Sequence, residues 1–391
     1  MSRPEGGHSF DVAVFGGGPA GAAAATALVQ RGYSTVVVEE SDYREVRVGE
    51  TLPSAIRPLL VSLGVWDRFV ADNHLPSYGI RSVWGRDDPH DSDFIYSSYG
   101  NGWHVDRNQF DALLITGAEN AGACVFRSAA VKSCVQSKSG DWRIEISRDG
   151  GHHPVRSRFV VDATGRTSVF ARRQGARRVI LDHLIGVVAF LNPRPTSQVP
   201  DNFTLIEAAE CGWWYSAVLP NSRIVVAYMT DADIYAEGKR KSGNYWLKQL
   251  ERSVHTRVRV ESLATNPPLR VAAANSSRLD QVSGGTWLAI GDAAMAFDPL
   301  SGHGVYKALQ SALQATEFIH LRATSNAGAL EDYSATVFRE FDRYQVTRTA
   351  FYAKEGRWLN SAFWQRRSTQ PVRGTASGAT RHARWSRRVP R

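Results

Sequence analysis

Two apolar runs, Asp11–Phe15 and Ser34–Glu39, flank an alanine-rich stretch, Ala20–Gln30, of helical composition. Short apolar runs of this kind read as buried strands, so the chain opens on a strand–helix–strand unit. Past Leu52, Ser54–Leu63 is apolar on one face and ends at Gly64, which predicts a helix. Another is expected over Asp106–Ala121, where Phe110, Leu113, Leu114 and Ala118 recur at helical spacing and Gly122 stops the pattern. Between the two, Asn73–Tyr99 reads as loop and strand, punctuated by Asp87, Asp88, Pro89, Asp91 and Asp93. Strand runs follow at Cys124–Cys134, Trp142–Ile146 and Val155–Asp162, and the polar turn Ser137–Asp141 predicts a meander over the first unit.

From about Ile185 the pattern changes to alternating apolar and polar positions, in the runs Gly186–Leu191, Asn202–Ala208, Trp213–Leu219 and Ile224–Tyr228. Alternation marks antiparallel strands covered on one face, so an inserted antiparallel sheet is expected, followed by one helix near Tyr245–Ser253. The apolar strand Trp287–Ile290 and a long helix from Gly302 to Leu321 return to the first domain, and Leu330–Phe363 reads as helical. The expected fold class is α/β: a discontinuous Rossmann-like domain (1–75, 100–184 and 270–322) carrying a β-sheet substrate domain (76–99 and 185–269). A helical C-terminal region (323–365) and a basic tail (366–391) complete the division.

Composition narrows the partners. A net charge of +9 invites a nucleic-acid reading, but Arg366–Arg391 holds eight arginines and no acid, leaving the body near neutral. No nucleic-acid module is apparent there, and the tail has the composition of a disordered segment. Cys124, Cys134 and Cys211 are widely spaced without a C-x-x-C, which points to reduced thiols in a cytoplasmic protein and to no metal site. His152–His153 reads as an exposed turn pair and His8 as part of a disordered leader, so neither has metal-ligand spacing. Val12–Gln30 carries no charge, but glycines and Pro19 break the run, which excludes a membrane span and a signal peptide.

The chemistry starts in the first turn. Gly16, Gly18 and Gly21 stand in G-x-G-x-x-G spacing between strand and helix, with Pro19 and Ala20 opening the helix. Gly16 permits the turn, Gly18 admits a diphosphate to the backbone, and Gly21 lets helix and sheet approach. The helix N-terminus supplies N–H groups and partial positive charge. Glu39, ending the second strand, is placed to accept hydrogen bonds from a ribose, and the adjacent Glu40 could share that task. Two later strands also run into an acid and a glycine: Asp162-Ala163-Thr164-Gly165, and GDAAMAFDPLSGHGVYKAL from Gly291 to Leu309. Open α/β sheets bind ligands at such carboxyl ends.

With these three motifs in this order, residues 10 to 365 resemble the FAD-dependent aromatic hydroxylases and flavin-dependent halogenases, which share the p-hydroxybenzoate hydroxylase-like fold. The resemblance implies FAD as cofactor. Asp292 would meet the ribityl chain, with Gly291 allowing the approach. Pro299 would lie near the ring, and Gly302, Gly304 and Val305 would open the helix facing its pyrimidine side. Asp162 and Gly165 match the family's second fingerprint, Val131 joins the cofactor set, and Arg107 would offer a fork for phosphate oxygens unless Asp106 or Asp111 takes it. Gly49–Pro53 matches a loop over the flavin edge, with Glu50 either a catalytic acid or a cap for the helix after it. His303 is placed to relay a proton or merely to cap backbone, and Asp298 is a further polar candidate near the ring.

The resemblance also implies the reaction: NAD(P)H reduces FAD, dioxygen adds to give a flavin C4a-hydroperoxide, and an electron-rich ring is hydroxylated in a dry pocket. Trp213, Trp214 and Tyr215 are the substrate-side candidates, with alternation sending one tryptophan toward the flavin or leaving both in the sheet core. Tryptophan halogenases carry W-x-W-x-I-P in a comparable place and a lysine for the halogenating species. Here the motif is broken at Tyr215–Leu219, and no lysine precedes Lys132. Gly212–Asp233, Asp298–Gly304 and Tyr352–Arg367 are most similar to flavoproteins of tryptophylquinone biogenesis. That narrower resemblance implies hydroxylation of a tryptophan in a precursor protein, with a flavin reductase as a possible second partner. A halogenase, or a flavin oxidase or reductase acting on a small molecule, is the alternative.

Overall fold

His8–Phe15 lies in parallel register between two strands, pairing Val12 with Phe159 on one side and with Thr35 on the other. Thr35–Val38 is buried throughout and the second neighbour is buried continuously over Phe159–Asp162, as a parallel sheet covered on two faces requires. The computed structural model describes residues 8–192, 201–261, 267–324 and 326–368. Its nucleotide sheet runs in the order Ser283–Gly284, Trp287–Ala289, Gly151–Asp162, His8–Phe15, Thr35–Val38 and Cys124–Phe126. Trp142–Arg148 and Ala129–Gln136 extend it antiparallel from Gly151–Asp162. Pro19–Gln30 covers this sheet and packs against Gly304–Thr324 and Arg107–Ala121.

The fold is therefore the mixed α/β architecture read from the motifs, with local differences. His8 is the first residue of a strand, paired with Val155, not part of a leader. Cys124–Cys134 divides at a turn where Ser128 has φ 52°, so its first part joins Thr35–Val38 in parallel and only the rest belongs to the meander. His152 and His153 belong to the strand Gly151–Asp162, with His152 3.2 Å from Glu145.

The second sheet has seven strands, Arg270–Ala273, Leu184–Leu191, Ile224–Asp231, Gly212–Val218, Phe203–Ala209, Gly79–Val83 and His90–Asp93, in that order. Phe203–Ala209 pairs in parallel with Gly79–Val83, and the remaining pairs are antiparallel. Arg270–Ala273 thus lies past the expected domain boundary. Three helices, Ala232–Lys241, Tyr245–Arg252 and His255–Val260, stand where one was expected. The first buries only Tyr235 and Gly238, too narrow an apolar face to register as periodicity. A small sheet, Thr51–Leu52, Gly102–His104 and Leu75–Ser77, bridges the two large ones.

Ala329–Tyr352 and Ala362–Ser368 close the structure. Arg366 and Arg367 belong to this last helix: Arg367 is buried against Asp231, and Arg366 pairs with Asp231 at 2.9 Å. The basic tail expected from Arg366 therefore begins later, and its remainder, 369–391, lies outside the described residues. Among the described residues the three cysteines are free and no group of His, Cys, Asp and Glu could hold a metal ion. No described helix is long and apolar enough to cross a membrane.

Candidate active site

The glycine turn is built by close approach. Gly16 has φ 96°, and a Cβ there would strike the Ala163 carbonyl; a Cβ on Gly21 would strike the carbonyl of Gly16. Gly18 has nothing within 4 Å of its Cβ position, so its backbone faces open space. Pro19 and Ala20 start the helix in its first turn. Glu39, 8 % exposed, turns back onto this turn, accepting the Gly17 N–H at 2.6 Å and the Ser41 N–H at 2.9 Å. Glu40 is exposed just past the strand end. Val131, partly buried in the meander, packs against the nucleotide core.

Asp162 departs from a cofactor role. Its carboxylate is fully buried and accepts the N–H groups of Thr164 (2.9 Å) and Ala171 (2.7 Å), bracketing the turn that contains Gly165. Gly165 itself has φ 66° and open space at its Cβ position. Arg107 is likewise committed to the protein. Its Nε and Nη2 each lie 3.0 Å from the two oxygens of buried Asp111, and Nη1 donates to the Val48 carbonyl. Arg47 reaches the same Asp111 at 3.0 Å. The arginine fork thus tethers the loop before Glu50 and is not free for phosphate.

Asp292 keeps a side chain 35 % exposed while Lys307 Nζ donates to it at 2.7 Å and Arg166 lies 3.4 Å away. Burial opposes its charge, but Lys307 and Arg166 outweigh that and hold it below the usual carboxylate range. Gly291, with φ 56°, lies so close to Ala20 of the first helix that a Cβ there would strike the Ala20 methyl. Pro299 is exposed at the start of the turn Pro299–Ser301. Gly302, His303 and Gly304 are exposed beyond it, while Val305 is buried in the first turn of Gly304–Thr324. His303 offers its carbonyl to the Lys307 N–H at 2.8 Å. Asp298 faces inward instead: 1 % exposed, it accepts from Tyr352 Oη (2.8 Å), Arg348 Nε (3.2 Å) and the Leu300 N–H (2.9 Å).

Glu50 is the outlier. It is 2 % exposed; the Gly49 N–H donates to Oε2 at 2.9 Å, while Oε1 is buried without a hydrogen-bond partner. Burial pushes its carboxyl up to about 7 against the opposing pull of backbone N–H groups and Arg107. Against burial, Arg107 is held charged by Asp111 first, with smaller contributions from Glu50 and Asp292. Leu300 packs against the cluster that contains Trp213 and Tyr215, so the seven-stranded sheet meets the Gly291–Gly304 segment.

Alternation sends Trp213 and Trp214 to opposite faces of that sheet, but both are fully buried. Trp213 donates its N–H to Tyr352 Oη at 3.1 Å, and Trp214 packs on Tyr228 and Trp246. Neither faces outward. Tyr215 is partly exposed and meets Thr51 Oγ1 at 2.7 Å. Sequence reasoning missed Lys307, Arg166, Arg47, Thr51, Thr204 and His104. Thr51 lay within the Gly49–Pro53 loop without a role of its own, and Lys307 left a signal as a lone cation on the apolar face of its helix. Two cavities lie elsewhere: one of about 520 Å³ beside Gln281–Gly285, and one of about 300 Å³ lined by Asp182, Asp231, Asp233, Arg366 and Arg367, at the ends of the segments Gly212–Asp233 and Tyr352–Arg367.

Residues 9–337 match the family model described as FAD binding domain. Over 365 residues the chain is 32 % identical to a protein of Marinomonas mediterranea named as an FAD-dependent oxidoreductase, LodB, covering 92 % of this chain and 97 % of LodB. The flavin-dependent halogenase CmlS superposes with a TM-score of 0.83 at 24 % identity, covering 92 % of this chain and 67 % of CmlS. QhpG, a peptidyl tryptophan dihydroxylase essential for tryptophylquinone cofactor biogenesis, superposes with a TM-score of 0.77 at 24 % identity, covering 93 % of this chain and 79 % of QhpG. Halogenases recur among the other relatives. At these identities both structural likenesses are likenesses of fold, so they do not separate hydroxylation from halogenation.

Proposed function

We propose that this chain, which belongs to the FAD binding domain family, is a monooxygenase that hydroxylates the indole ring of a tryptophan within a precursor protein. The residues present fit FAD. Gly16, Gly18 and Gly21, with Pro19 and Ala20, form an open-backed cradle for the diphosphate at a helix N-terminus. Glu39 is turned toward the same cradle for a ribose, and partly exposed Asp292 is held charged for a ribityl hydroxyl. The helix N-terminus at Gly304–Val305 offers N–H groups for the pyrimidine edge. Bound FAD supplies the two-electron chemistry that activates dioxygen.

The observation that carries the substrate reading is Glu50. Its unpartnered Oε1 is a buried acceptor on the loop whose Thr51 reaches Tyr215 of the seven-stranded sheet, and it fits a ring N–H. As a carboxylate it orients an indole and, by accepting the N–H, pushes electron density onto the ring nitrogen, which makes the ring more nucleophilic. Tyr215 and Leu300 supply apolar walls against water. A halogenating lysine has no counterpart: none precedes Lys132, and Lys307 is committed to Asp292. QhpG acts on a peptidyl tryptophan and LodB bears the higher identity, and both are spanned over most of their length. NAD(P)H supplies the electrons, directly or through a flavin reductase.

The test is incubation of the FAD-loaded enzyme with reductant, ¹⁸O₂ and tryptophan-containing precursor peptides. Mass gain of labelled oxygen on tryptophan, independent of chloride or bromide, is the expected result. Halide incorporation, or hydrogen peroxide as the only product with every peptide, would overturn the proposal. Bleaching of the flavin by NADH or NADPH without added reductase identifies the donor.

A further inference from the structure

His90–Asp93 is the outer strand of the seven-stranded sheet, and among the described residues no strand pairs with its far side. All four of its residues are exposed. Pairing with Gly79–Val83 decides which backbone groups face outward. The Phe94 N–H donates to the Tyr78 carbonyl at 2.8 Å, and the Ser92 carbonyl faces Gly79. Hydrogen-bonding direction alternates along an antiparallel strand, so Ser92 and His90 turn inward with Phe94. Asp91 and Asp93 therefore present their N–H and C=O groups outward. Open ladder positions of this kind are the template to which another extended backbone adds.

The side chains give that edge charge and apolar surface. Asp87–Tyr99 carries Asp87, Asp88, Asp91 and Asp93 and neither lysine nor arginine. Arg357 takes Asp87 and Arg81 takes Asp91, whereas Asp88 and Asp93 have no ion-pair partner among the described residues. Directly after the strand, Ile95 is 77 % exposed and Tyr96 91 %, and Tyr78 and Tyr99 are exposed as well. Large apolar side chains gathered in the open mark a contact surface, and tyrosine is enriched in such surfaces. The edge is tied to the loop that carries Glu50. Ser97 Oγ lies 2.7 Å from Ser54 Oγ, and a Cβ on Gly102 would strike both the Leu52 carbonyl and the Phe94 ring.

We propose that this edge is where the precursor protein docks, by adding an extended segment beside His90–Asp93. The edge dictates the chemistry of that segment. Its backbone pairs with the outward groups of Asp91 and Asp93. Cross-strand neighbours of opposite charge attract, so basic side chains two positions apart stand opposite the two acids. An apolar side chain beyond them covers Ile95 and Tyr96. This deepens the reading above and rests on it for the identity of the partner, whereas the strand addition rests on the edge alone.

The test titrates FAD-loaded enzyme with one probe, the acetylated peptide amide tryptophan–leucine–lysine–threonine–lysine–threonine, and reads hydrogen exchange at residues 90–96. Slower exchange at the Asp91 and Asp93 amides is expected. Binding is expected to weaken roughly tenfold when alternate peptide amides are N-methylated or glutamate replaces lysine. Asp93 has φ −74°, which suits proline, and its N–H serves no bond within the sheet. Asp93→Pro therefore removes a donor to the partner alone, and Tyr96→Ser removes exposed apolar surface. Both variants are expected to bind the probe roughly tenfold more weakly with an unchanged urea midpoint. Full affinity in both variants, or no protection at Asp91 and Asp93, would overturn the proposal. So would protection already present in the free chain, whether from its own residues 369–391 or from a second copy. If the probe docks here but gains no labelled oxygen, strand addition is upheld and the tryptophan reading falls. If precursor peptides gain oxygen equally in wild type and both variants, the tryptophan reading stands and the docking edge falls.

Discussion

Glu50 ties acidity to both turnover and stability. Its carboxyl is raised to about 7 in the folded chain, against an unfolded value near the ordinary glutamate range. On the proposed role as acceptor for a ring N–H it must be ionised, so the rate constant for the proposed hydroxylation is expected to rise with pH through about 7 and level off above it. A stopped-flow pH profile on FAD-loaded enzyme checks this, and Glu50→Gln removes the inflection. Stability moves the other way. Between the unfolded and folded values the native state holds the extra proton, so stability falls as pH rises across that window and is flat above it. Glu50→Gln is therefore expected to be indistinguishable from wild type at pH 4 and more stable by up to about 3 kcal/mol at pH 8 in urea titrations. A variant no more stable at pH 8 would mean the carboxylate is better solvated than its burial implies.

At the scale of elements, the fold was legible wherever one physical signal governed a segment. Gly16 and Gly21 mark contacts that no side chain could survive, and helical spacing alone set Arg107–Ala121 with Gly122 at its end. What was not legible were partnerships between distant segments. Arg107 reads the same in sequence whether it holds phosphate or Asp111, and Asp162 reads the same whether it faces a ribose or the N–H of Ala171. Thr204 and His104 are ordinary strand residues until register brings them to Thr51. The Arg107–Asp111–Arg47 group is a consequence: two arginines share one fully buried carboxylate and fasten the Val48–Gly49 segment to a helix. Asp111→Ala leaves Arg107 buried and unpaired, and is expected to cost about 3–5 kcal/mol. It also releases the loop that carries Glu50. Chemical denaturation reads the first effect, and faster hydrogen exchange at residues 48–52 reads the second.

Over the whole molecule, the C-terminal helices connect the seven-stranded sheet to the Gly291–Gly304 segment. Tyr352 donates to Asp298 and accepts from Trp213, so one phenol joins the Gly291–Gly304 segment to the sheet through Ala329–Tyr352. Trp84, Tyr352, Phe363 and Trp364 pack edge to face beside it. The last helix is pinned in turn by Arg367 on Asp231, both almost wholly buried, and by Arg366 on Asp231 and Asp233. A chain ending at Gln365 would strand Asp231 in the interior without a cation, whereas one ending at Ser368 would keep both pairs. The shorter form is expected to be about 3 kcal/mol or more less stable than the longer one in denaturant. Because Asp298 is reached through the same helices, the shorter form is also expected to bind FAD more weakly at temperatures where the longer one is saturated. Equal stability of the two forms would show that water, not the arginines, solvates Asp231, and the C-terminal helix would then have no part in holding the loop.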